Sequence, residues 1–234
     1  MDIKTFQLST GAAQAEGVAV IIDVFRAFSF ECYAFSGGAE RIYPVADVTR
    51  AHAMKAQNPG FLLAGERGGV KLPGFDVGNS PFEIQGKDLR GKSIVHTTSA
   101  GTQGIDAAVH ADVILLAAFV NARATADYIR ELAPQKLSLV CMGFENREPA
   151  DEDTLCAEYI RSILQGGGFD KYAAYQKLKT GSGARFMDAR NAAFSPPEDF
   201  ELCMVYDRFD FAIRVDTDEQ GRKVSRPVRA REGR

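Results

Sequence analysis

A chain of 234 residues has room for one large domain or two small ones. With 45% hydrophobic and 25% charged residues, it falls outside the collagen, coiled-coil and disordered classes. The net charge of −3 and the lack of any apolar run of 18 residues argue against a nucleic-acid surface and a membrane span.

The first elements read as an alternation of buried strands and helices. Residues 18–22 form an apolar strand ending at Asp23, and a helix follows through Cys32 to Phe35 until Gly37-Gly38 stop it. Residues 41–45 are a second strand, Asp47 an N-cap for the next helix, and residues 61–64 a third strand running into Gly65-Glu66-Arg67. Residues 68–92 hold glycines and prolines spaced throughout, a long irregular loop of the kind that carries function. Strands at 93–97, 113–117 and 137–141 then alternate with helices at 102–109, 121–132 and 153–164. The order predicts an α/β fold, three layers α/β/α around a mostly parallel sheet. Residues 1–165 form the core that carries the site loops. Residues 166–221 form a mainly helical part, with a last strand at 209–215, packed on the same domain. Residues 222–234 carry six basic residues and one acidic, and are expected to be a solvated basic tail on a body of charge −8.

The N-terminus lacks the basic and apolar regions of a signal peptide. Cys32, Cys141, Cys156 and Cys203 are widely spaced and only three histidines are present, so a zinc site and a disulfide framework are disfavoured. A reducing, cytoplasmic compartment is expected.

Ligands of parallel α/β sheets bind beyond the carboxyl ends of the strands. The polar residues there are Asp23, Arg26 and Ser29; Glu66 and Arg67; Thr97, Thr98, Ser99, Gly101 and Thr102; Asn121; and Glu145, Glu148, Asp151, Glu152 and Asp153. Asp76, Asn79 and Ser80 lie in the glycine-flanked loop. Carboxylates, two arginines and a hydroxyl-rich turn are together the equipment for Mg2+ and a phosphate ester. Arginine suits phosphate because it donates two parallel hydrogen bonds. No histidine or cysteine forms a nucleophile–base pair in the pattern, and no Gly-x-Ser-x-Gly elbow occurs.

Six segments in order resemble the 2-phosphosulfolactate phosphatase family: Asp23-Val24-Phe25-Arg26-Ala27-Phe28-Ser29, Gly65-Glu66-Arg67, Gly74-Phe75-Asp76-Val77-Gly78-Asn79-Ser80-Pro81, Thr97-Thr98-Ser99-Ala100-Gly101-Thr102, Phe119-Val120-Asn121-Ala122 and Glu152-Asp153-Thr154-Leu155-Cys156-Ala157. The likeness runs from about residue 18 to 160 and continues more weakly to Val215. It implies a Mg2+-dependent enzyme that hydrolyses 2-phosphosulfolactate to 3-sulfolactate and phosphate, a step on the route to coenzyme M in some organisms. Carried onto this chain, it implies metal carboxylates from Asp23, Glu66, Asp76 and Asp153, with Asp23 and Arg26 at the reacting centre. The small anionic phosphorylated substrate would be bound by Arg26, Ser29, Arg67, Asn79, Ser80, Thr97, Thr98, Gly101, Thr102 and Asn121. The nucleophile is Asp23 or a metal-bound water. Phe28 and Phe30 stand where the family has threonines, and Ser99-Ala100 where it has Thr-Asn. Another phosphorylated hydroxy acid as substrate, or a non-catalytic binder of such acids, are the alternatives. A homodimer is compatible with an α/β enzyme of this size.

Overall fold

The computed structural model describes residues 1–231. Strand β1 (Asp2–Gln7) leads through α1 (Leu8–Ala12) to β2 (Gly17–Ile22), α2 (Ala27–Ser36), β3 (Arg41–Pro44), α3 (Val48–Gln57), β4 (Leu62–Arg67) and β5 (Val70–Lys71). After α4 (Pro81–Ile84) come β6 (Ser93–Thr97), α5 (Gly101–Ala107), β7 (Ala111–Ala117), α6 (Ala122–Leu132), β8 (Lys136–Cys141) and α7 (Asp151–Gln165). Helices α8 (Lys171–Thr180), α9 (Ala184–Met187) and α10 (Pro197–Cys203) precede β9 (Ala212–Thr217) and β10 (Lys223–Val228). The fold is α/β with a mostly parallel sheet, as the alternation predicts.

One sheet runs in the order β1-β8-β2-β7-β9-β10-β3-β6-β4-β5. It contains two parallel blocks, β1-β8-β2-β7 and β3-β6-β4. The antiparallel hairpin β9–β10 joins them. The chain β2-α2-β3-α3-β4 is one βαβαβ unit and β6-α5-β7-α6-β8 a second. Each unit lends its first strand to the other: β2 pairs between β7 and β8, and β6 between β3 and β4. No fixed sequence period announces this exchange.

The exchange places the site. Helix α2 leaves β2 and reaches the other block, where buried Glu31 meets His96 Nδ1 of β6 at 3.0 Å. Helix α5 leaves β6 and packs on β2, with Gly104 pressed against Ile21 and Met142 so closely that no Cβ fits. The turns after β2 and after β6 therefore lie side by side. Central β2 is apolar throughout because both of its faces are covered: Val20, Ile21 and Ile22 are fully buried.

Two segments differ from expectation. Residues 2–7 form an edge strand, parallel to β8 and half-exposed, whose mixed polarity hides it in the sequence. The expected basic tail is no frayed end. Residues 223–228 are β10, held between β9 and β3 inside the sheet. Val224 and Ser225 are buried, while the charges find partners outside: Arg222 on Asp218, Lys223 on Asp106 and Arg229 on Asp210. A charge count does not register a strand in which basic residues flank two buried positions. Residues 232–234 of that expected tail lie outside the described residues.

A chain ended after Gly221 would leave β9 and β3 as open edges. Loss of the cooperative thermal transition is expected on circular dichroism, and an unchanged melting temperature would contradict the central place of β10. All four cysteines are buried and free. Among the described residues no helix is long and apolar enough to cross a membrane.

Candidate active site

A cavity of about 250 Å³ opens where β2, β4 and β6 end and α7 begins, walled in part by Asp23, Glu66, Ser99, Ala100, Glu152 and Asp153. Asp23 closes β2, and its Oδ1 accepts the Ala27 N–H at the start of α2 at 3.2 Å. Asp153, in the first turn of α7, accepts from Val24 N at 2.9 Å and from Gly143 N at 2.8 Å, clipping together the loops after β2 and β8. Glu66 near the end of β4 accepts from Ser99 N and Gly69 N, each at 2.7 Å, and so fixes the β6–α5 turn.

Burial dominates the electrostatics. It pushes the Asp23 carboxyl up to about 7, helped by the charges of Glu66 and Glu152 and opposed by the N–H groups of Ala27 and Gly101. Asp153 is raised well above the carboxylate range by burial and by the charges of Glu152 and Asp23, against the N–H bonds of Val24 and Gly143. One carboxylate oxygen of Glu152 is buried without a hydrogen-bond partner. Asp23, Glu66, Glu145, Glu152 and Asp153 face only two cavity cations, Arg26 and Arg185. Such a wall repels an anion unless a cation or protons intervene.

Among the described residues no three His, Cys, Asp or Glu side chains stand close enough to hold a metal as they are placed. The chemistry of the donors nevertheless fits Mg2+, which takes hard carboxylate oxygens and keeps several waters, so one or two protein ligands suffice. The unpartnered Glu152 oxygen and the raised Asp23 are the groups that a cation would satisfy.

Of the residues proposed from the sequence, Asp23, Arg26, Glu66, Asn79 and Asp153 line this cavity. Arg26, however, is committed to protein: Nη1 donates to Asp199 at 2.5 Å and to Phe194 O at 2.7 Å, and Nη2 to Gly69 O at 2.9 Å. It clamps the wall and has few donors left for phosphate. Arg67 turns away, donating to Ala46 O and Thr97 Oγ1 at 2.9 Å. Asp76 is elsewhere, accepting from Leu63 N at 2.7 Å and pairing with Lys55. Thr98 and Thr102 satisfy one another across the turn, which leaves no open hydroxyl cradle. Ser29 Oγ donates to Val24 O, Asn121 caps Ala118 N, and Ser80 Oγ donates to Asp199. These polar side chains stitch the strand ends together because buried hydroxyls and amides at such turns must find partners.

Gly101 keeps its place by what it lacks. A Cβ there would stand 3.0 Å from Asp23 Oδ2 and 2.9 Å from the Phe28 ring. Gly101→Ala is expected to destabilise by about 1–3 kcal/mol and to lower turnover, read from melting and initial rates. Phe28 and Phe30 are fully buried, the latter 4.9 Å from the His96 ring, so the two replaced threonines do not open onto the cavity. Ala100 does line it.

Sequence reasoning passed over three charged cavity residues as site groups, Glu145, Glu152 and Arg185. Glu152 stood in the acidic cluster after the sixth strand, next to the chosen Asp153. Arg185 lies on α9, outside the strand-end list; its only signal is the Gly181-Ser182-Gly183 break before an arginine and a phenylalanine. Arg185 Nη2 donates to Phe25 O at 3.0 Å, and burial lowers its pKa.

The sequence model of the family described as 2-phosphosulpholactate phosphatase matches residues 4–215. A probable 2-phosphosulfolactate phosphatase of Bacillus subtilis (strain 168) is 31% identical over 230 residues, 97% of this chain and 100% of that protein. A protein of the same description from Carboxydothermus hydrogenoformans is 39% identical over 181 residues, 77% of this chain and 70% of its own length. One from Caldanaerobacter subterraneus is 31% identical over 214 residues, covering 84% and 86%. Matches over nearly the whole chain, on top of a carboxylate-lined cavity at the strand ends, establish that this chain belongs to the 2-phosphosulfolactate phosphatase family.

Proposed function

We propose that this protein is a Mg2+-dependent phosphatase that hydrolyses 2-phosphosulfolactate, the substrate named in its relatives' descriptions, to 3-sulfolactate and phosphate. The observation that carries the reading is the excess of buried carboxylates in the cavity, with Asp23 held near neutrality by burial. Asp23, Glu66, Glu152 and Asp153 would hold the cation; Asp76, remote from them, would not. When bound, Mg2+ would neutralise the charge that develops on the phosphoryl oxygens.

The chain's own residues supply the rest. Asp23, held by the Ala27 N–H and facing that of Gly101, is the proton acceptor for the attacking water. The water oxygen bonds to phosphorus, its proton passes to Asp23, the bond from phosphorus to the C2 oxygen breaks, and that oxygen leaves with a proton from solvent. Glu66 and Asp153 hold the three loops in register. Acid quenching during turnover is expected to trap no phosphoaspartate; a trapped one would make Asp23 the nucleophile instead. Four free, buried cysteines support a reducing, cytoplasmic setting.

A second reading has one observation in its favour. Ala100 lines the cavity where the family pattern carries an amide, which removes a donor from the wall. It makes another phosphorylated hydroxy acid the substrate. The test is phosphate release from 2-phosphosulfolactate, 2-phospholactate and phosphoglycolate, run side by side. Preference for the sulfonated compound supports the first reading, and release from the other two alone moves the substrate.

A further inference from the structure

We infer that Arg185 is the specificity-determining residue of this cavity, the group that receives the sulfonate of the substrate. The inference rests on the hydrolase reading above and names a subsite within the same cavity. Three arginines are candidates to hold an anion. Arg26 spends three of its five N–H donors on Asp199, Phe194 and Gly69, and Arg67 points to Ala46 and Thr97. Arg185 has a single protein hydrogen bond, to Phe25 O, and among the described residues no carboxylate lies within ion-pair distance of it. A guanidinium has five N–H donors, so most of its capacity is unspent.

Its surroundings select among anions. The guanidinium carbon lies 5.1 Å from the ring centres of Phe144 and Phe186 and 6.0 Å from that of Phe25. Ring faces favour a cation but offer no acceptor in its plane, so its remaining N–H groups are available to a ligand. The phosphoryl group belongs beside Asp23, where the bond breaks. What must reach Arg185 is one of the substrate's two non-reacting anions, the C1 carboxylate or the C3 sulfonate, and the sulfonate is the more weakly hydrated of the two. A sulfonate is a monoanion at any working pH and more weakly hydrated than a phosphate dianion. It loses less on entering an aromatic-walled recess, and arginine, itself weakly hydrated, is its natural partner. The cavity thereby offers carboxylates for the cation and phosphoryl group and, at Arg185, an aromatic-framed guanidinium for the sulfonate, with the charges of Glu152 and Asp23 acting on Arg185 as well.

The test compares wild type with Arg185→Met and Arg185→Lys in Mg2+. It uses kcat/KM on 2-phosphosulfolactate and 2-phospholactate, and calorimetric affinity for 3-sulfolactate. Arg185→Met is expected to lose on the order of 100-fold on the sulfonated substrate and under about 10-fold on 2-phospholactate, with 3-sulfolactate binding weakened to match the larger loss. Arg185→Lys, which keeps the charge without the planar fork, should fall between, and melting curves of both variants show that they are folded. Equal losses on the two substrates, or unchanged 3-sulfolactate binding by folded Arg185→Met, overturn the assignment. If wild type binds 3-sulfolactate yet releases phosphate from neither substrate, the hydrolase reading falls. The binding arm then decides Arg185 alone: weaker binding by Arg185→Met supports it and equal binding overturns it.

Discussion

Asp23→Asn is expected to abolish phosphate release and, in the same protein, to raise the melting temperature of the metal-free form above pH 7. The activity loss should be about 10²–10⁴-fold, the range supplied by a positioned general base. The gain in stability follows from the direction of the Asp23 shift. Burial raises its carboxyl from the model-compound value of 3.8 to about 7, so the folded state holds a proton that the unfolded chain releases. Stability from this group is full below 3.8 and declines as pH rises towards 7; above that, a bare carboxylate sits among Glu66 and Glu152. An amide removes that burden, worth about 1–4 kcal/mol at pH 8. Added Mg2+ should raise the melting temperature of wild type more than that of the variant. Melting curves at pH 5 and pH 8, with EDTA or Mg2+, read all of this. A variant less stable than wild type at pH 8 in EDTA would contradict the account of a strained carboxylate cluster.

The second large effect is at Asp199, which acts on stability first. Its Oδ2 lies 2.5 Å from Arg26 Nη1, with both side chains buried, and its Oδ1 accepts from Ser80 Oγ at 2.8 Å and Phe82 N at 2.9 Å. One carboxylate therefore binds the start of α2, the glycine-rich loop and α10. Asp199→Ala leaves a buried guanidinium without its counter-ion and two donors without an acceptor. It should cost about 3–5 kcal/mol, a fall in melting temperature of roughly 10 °C for a chain of this length. Asp199→Asn keeps an acceptor for Ser80 and should lose less. A loss within about 0.5 kcal/mol for the alanine variant would mean that the network does not hold the cavity wall.

The contrast between Asp199 and Asp23 shows what a single sequence reveals. Asp23, Glu66 and Asp153 were legible because strand ends in α/β proteins gather ligands and because apolar runs mark those ends without ambiguity. The two interleaved βαβαβ units were not, since strand exchange leaves each strand's pattern unchanged. The fate of Arg26 was hidden for a related reason: its partner is 173 positions away, and arginine after a strand reads the same whether it grips phosphate or aspartate. Arg67, Asp76 and the Thr98–Thr102 pair look like ligands by type and spacing, yet nearby backbone and side-chain groups absorb them. Arg185 escaped because α9 is only four residues long and reaches the cavity by tertiary folding alone. Residues 223–228 were misjudged because net charge conceals a strand whose apolar face is narrow.

The central claim is that the carboxylate cavity around Asp23 is a Mg2+-dependent phosphatase site. Its most direct test is the initial rate of phosphate release from 2-phosphosulfolactate by wild type and Asp23→Asn, each in Mg2+ and in EDTA. Release by wild type in Mg2+ alone, with the other three conditions at background, is the predicted result. Equal release in EDTA, or undiminished release by folded Asp23→Asn, would contradict it.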